Sequence, residues 1–105
     1  MADNVLDQAR KHLDGGRNWC QGSGEDWDGR RCLVGAVCAV TEDEDTGALA
    51  ALDALNKVVR EQYPNLSVPC MGHHNVVVFN DHPDTTWADV DAVLDKAARR
   101  LDEQL

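Results

Sequence analysis

Four cysteines, Cys20, Cys32, Cys38 and Cys70, and the histidine pair His73-His74 are the side chains with the most obvious capacity for nucleophilic or ligand chemistry. Cys32 follows Arg30 and Arg31 and opens the apolar run Cys32 to Val40. A helix beginning at Arg31 or Cys32 would place its thiol at the positive end of the helix dipole, beside two cations, where a thiolate is favoured. His73 or His74, with Asn80 or Asp81 to orient the imidazole and Gln21 as an oxyanion donor, would complete a papain-like arrangement of helix-borne cysteine and strand-borne histidine. That constellation would suit a cysteine hydrolase or transferase. Cysteines at helix starts are nonetheless mostly inert packing groups, and the packing reading of Cys32 outweighs the catalytic one.

A metal site is the second chemical option. Cys70-x-x-His73 has ligand spacing, and Cys20, Cys32, His74 and His82 could supply the remainder of a tetrahedron. Structural zinc signatures carry two such close pairs, whereas this chain has one, so the expectation is no metal and no cofactor. Cys70 is then a packing residue, and His73 and His74 lie in a polar turn. Asn80 and Asp81, ahead of Pro83 and Thr86, could hold a cation or a substrate hydroxyl; satisfying the backbone amides of their own turn is the favoured role.

The bulk properties narrow the function further. With 105 residues and 11.5 kDa the chain fits one domain. Nineteen acidic against ten basic residues give a formal charge of -9, which argues against direct binding to a nucleic-acid backbone. The acidic residues are spread along helices instead of forming a continuous stripe, so solubility explains them better than mimicry of nucleic acid. No apolar run reaches the length of a bilayer span, and the start, MADNVLDQARKHL, is amphipathic instead of basic then apolar. No membrane role and a cytoplasmic setting with free thiols are expected, while the oligomeric state stays open.

The elements that must position these residues read as follows. Val5, Leu6, Ala9 and Leu13 make one helical stripe, which Gly15 and Gly16 terminate. Arg17 to Arg31 carries Trp19, Trp27 and three glycines and reads as a short hairpin or an ordered loop, with Asp28-Gly29 suited to a tight turn. Cys32 to Val40 is compatible with helix or strand; Gly35, Ala36 and Ala39 tip it to a thin central helix surrounded on all sides. Glu42 to Asp45 reads as a solvated turn with Thr46 and Gly47. Ala48 to Tyr63 is a helix burying Leu49, Leu52, Leu55, Val58 or Val59 and Tyr63, stopped by Pro64. Asn65 to Gly72 reads as extended, and HNVVVF, His74 to Phe79, as a buried strand able to pair with Leu66 to Cys70. Thr86, with Asp89, caps a last helix whose stripe is Trp87, Val90, Val93 or Leu94, Ala97 and Leu101. At least two of the three tryptophans should be internal, where they supply large core pieces, although such residues also anchor interfaces. The fold expected is mainly α, with α+β at the margin: about four helices around the Cys32 to Val40 helix, a small hairpin and room for one short strand pair.

Three markers stand in order: WCQG at Trp19 to Gly22, CLVGAV at Cys32 to Val37, and VFNDHPDTTWADVDAVLDKAA at Val78 to Ala98. Together they resemble an uncharacterised family of small actinobacterial and actinophage proteins. The positions carrying the likeness are Trp19, Gly22, Cys32, Gly35, Asn80, Asp81 and Thr86, and Asn65 to His74 looks like an insertion relative to the pattern. The resemblance implies a small, mostly helical domain of bacterial or phage origin and brings no activity. Phage genomes carry many short acidic proteins that bind a host protein. The function expected is therefore non-catalytic protein binding, with the hydrolase or transferase built on Cys32 as the alternative.

Overall fold

Asn4 starts the first helix by a reciprocal cap: its side chain accepts the Asp7 N–H at 3.0 Å, and the Asp7 carboxylate accepts the Asn4 N–H at 3.2 Å. In the computed structural model, which describes residues 4–22, 29–41, 45–66 and 74–104, this helix is α1, Val5–Leu13, with Leu6, Ala9 and Leu13 buried. Asp14 itself takes the left-handed terminating conformation at φ 47°, one residue before the expected glycines, and a short 3-10 turn runs on to Gly16.

Five helices and no strands occur among the described residues, so the mainly α expectation holds and its marginal β content does not. The hairpin expected over Arg17 to Arg31 is replaced, where described, by one isolated parallel bridge between Trp19 and Arg31. Trp27 and Asp28 lie outside the described residues.

Helix α2, Leu33–Thr41, buries Leu33, Ala36, Val37 and Thr41, but Cys38 is exposed and Val34, Gly35, Ala39 and Val40 are half-buried. The rod surrounded on all sides is therefore corrected to a one-sided helix. Small residues make this tolerable, because Gly35, Cys38 and Ala39 present little apolar area to water. The central element is instead α3, Asp45–Gln62, which packs against each of the other four helices. It begins inside the stretch expected to be a turn, so Asp45, Thr46 and Gly47 are helical; residues 42–44 lie outside the described residues. Its buried stripe runs through Ala51, Leu52, Ala54, Leu55, Val58 and Val59, while Leu49, expected inside, is 67% exposed. Pro64 follows Tyr63 and opens a 3-10 turn through Leu66, where extended chain was expected.

The largest correction concerns HNVVVF, which forms helix α4, His74–Asp81. Asn75, Val76, Phe79 and Asn80 are buried, at i, i+1, i+4 and i+5, the spacing of one helical face. β-branched residues lower helix propensity only slightly. A lone strand without a partner would leave its backbone groups unpaired, whereas a helix satisfies them internally. Of Leu66 to Cys70, offered as the pairing segment, Leu66 ends the 3-10 turn and residues 67–70 lie outside the described residues.

Helix α5, Trp87–Gln104, carries the expected stripe: Val90, Val93, Leu94, Ala97, Ala98 and Leu101 are buried. Thr86 N–H donates to the Asp89 carboxylate at 3.0 Å and the Thr86 hydroxyl accepts Asp89 N–H at 3.4 Å. Packing of α3 on α5 is the most extensive helix contact. Polar ties add α1 to this pair: Arg10 makes a two-pronged contact with Asp91 at 2.6 and 2.9 Å, and Asn4 donates to Ala98 O and Asp102, both at 2.8 Å. Among the described residues no helix is long and apolar enough to cross a membrane.

Candidate functional site

The polar centre of the molecule is Asn80, in the last turn of α4 and only 1% exposed. Its side-chain oxygen accepts the indole N–H of Trp19 at 2.7 Å and the backbone N–H of Leu33 at 3.1 Å. Its side-chain nitrogen donates to Cys20 O at 3.1 Å and to the Asp81 carboxylate at 2.9 Å. Both amide donors and the oxygen are thus occupied, close to the full capacity of a carboxamide. Three segments distant in sequence meet here: the loop after α1, the start of α2 and the end of α4.

The neighbours complete the joint. Gln21 Nε2 donates to Asn80 O at 2.9 Å and to His82 O at 2.8 Å, so it caps the terminal carbonyls of α4. Asp81 accepts the Gly22 N–H at 2.8 Å. Thr85 Oγ1 donates to Phe79 O at 2.8 Å, and His82 Nδ1 accepts Asp84 N–H at 3.1 Å. Among the described residues no buried side-chain nitrogen or oxygen is left unpartnered. The indole of Trp19 also lies against that of Trp87, with ring centroids 6.3 Å apart and planes inclined by 51°, a geometry favourable to aromatic pairs. Both tryptophans are half-buried against the core.

Cys32 is the residue just before α2, 9% exposed. Its sulfur accepts the Gly35 N–H at 3.3 Å while its carbonyl receives the first intrahelical bond, from Ala36. The thiol does the work of a side-chain helix cap. His74 is exposed at the opposite end of α4 from Asn80, about 9 Å of helix rise away, and Gln21 faces carbonyl oxygens. The structure therefore gathers Cys32, Gln21, Asn80 and Asp81 around one joint and puts His74 elsewhere; His73 lies outside the described residues. The arrangement of helix-borne cysteine and strand-borne histidine does not form with His74, because the expected strand is a helix that carries it away.

Of the proposed zinc ligands, Cys70 and His73 lie outside the described residues, and no three His, Cys, Asp or Glu side chains among those described converge as a metal site. Open clefts lie elsewhere: one of about 420 Å³ is lined by Asp7, Arg10, Lys11, Asp14 and Gly15, another by Lys57, Arg60 and Glu61. Of the marker residues, Trp19, Gly22, Asn80, Asp81 and Cys32 meet at the joint, Gly35 is bound to the Cys32 sulfur, and Thr86 caps α5. Sequence reasoning missed the buried hydrogen bond from Asn75 to Asn56, 2.8 Å, although an asparagine beside each end of the apolar VVVF run was a visible hint.

Such a fold and centre define a small, mainly helical protein organised around a buried asparagine. The chain belongs to a family of unknown function (DUF6197), whose profile matches residues 1–100. No curated protein and no solved structure matches it.

Proposed function

We propose that the chain is a small acidic, non-catalytic domain that acts by binding another protein, as a phage-encoded modulator of a host protein would. The observation that carries this reading is the full engagement of its best chemical groups in structure: Asn80 bonds to four partners, Gln21 to two carbonyls, and the Cys32 thiol to Gly35. Catalytic groups are held toward a substrate, and these are held toward backbone and side-chain groups of the chain itself. What the surface offers instead is apolar contact, from Leu49 on α3 and Cys38 on the uncharged α2, within a chain of net charge -9. A partner with an apolar centre and a basic rim fits such a surface.

The test compares wild-type protein with Leu49→Asp and Cys38→Asp variants in cross-linked pull-downs from bacterial cells. A partner recovered in stoichiometric amount by wild type and lost from either variant is expected; recovery of none, or equal recovery by all three, counts against the reading. Alkylation kinetics separate the enzyme alternative. Cys32 should react more slowly than exposed Cys38, and a faster Cys32 would overturn the non-catalytic assignment.

A further inference from the structure

We draw no further inference here: the strongest candidate, the uncharged outward face of α2 around Val34, Gly35 and Cys38, belongs to the surface already given to partner binding, and nothing in the structure shows what covers it.

Discussion

The side-chain oxygen of Asn80 accepts the N–H of Leu33 at 3.1 Å, so the last turn of α4 caps the first turn of α2 across 47 positions of sequence. A helix start needs acceptors for N–H groups that have no intrahelical partner. Here one comes from another helix and a second from the Cys32 sulfur. Where α2 begins is therefore a tertiary property, set by the same asparagine that holds Trp19.

Replacing Asn80 with alanine strips an acceptor from two N–H donors, on Trp19 and Leu33, and a donor from Cys20 O. A buried polar group left without its partner costs about 1–3 kcal/mol, and such costs are not additive. Asn80→Ala should therefore lower unfolding free energy by about 3 kcal/mol in urea denaturation. Thr86→Ala, which removes a single exposed cap, should cost about 1 kcal/mol. Equal losses for the two variants would contradict a central role for Asn80.

Gly16 stands at φ +95°, and a Cβ there would lie 2.8 Å from Cγ of Trp87. Backbone strain and overlap with a ring held by Trp19 act together, so Gly16→Ala should cost about 3 kcal/mol. Gly15 is the control: its φ is +63° and a Cβ would meet nothing within 4 Å, so Gly15→Ala carries only the left-handed penalty of about 1 kcal/mol. Denaturation curves of the pair, followed by tryptophan emission, check the difference.

Much of this architecture could be read from periodicity. The stripes of α1 and α5 and the caps at Thr86 and Pro64 were legible because they depend on neighbours within one turn. HNVVVF was misread for a physical reason: its β-branched content is a local preference of a few tenths of a kcal/mol, overridden by burial of Asn75, Val76, Phe79 and Asn80 on one helical face. The one-sided exposure of α2 and of Leu49 depends on which helices lie alongside, which no short window contains. At the joint, Asn80 and Asp81 were legible as polar groups ahead of a turn. Their bonds to Trp19, Gly22 and Leu33 link segments separated by 47 to 61 positions and were not.

Tyr63 lies against Phe79, with ring centroids 4.8 Å apart, and burial, helped by the negative charge of Asp89, pushes its hydroxyl above the ordinary value of 10. As the single tyrosine of the chain, it can be titrated unambiguously by ultraviolet absorbance of the tyrosinate. The native midpoint should lie above 10 and return toward 10 in urea. Because the unfolded chain ionises first, stability should be full below pH 10 and decline as pH rises through the folded midpoint. A native midpoint at or below 10 would contradict the packing of this ring.

Glu61 and Arg100 join α3 to α5 through two contacts of 2.6 and 2.5 Å. The hydrogen bond from Arg100, and then its charge and that of Lys96, hold the Glu61 carboxyl below its ordinary value of 4.5. A carboxylate whose folded value is depressed contributes stability that is present above the unfolded value and is lost as pH falls through the folded one. Arg100→Gln should therefore lower stability at pH 6, in low salt, and the gap from wild type should close as pH is taken below 4.5. Added salt should narrow the gap at pH 6 as well, because both side chains reach water. Urea melts of the two proteins across the acid range make the comparison, and a gap independent of pH would mean that Arg100 stabilises the α3–α5 contact through packing of its stem alone.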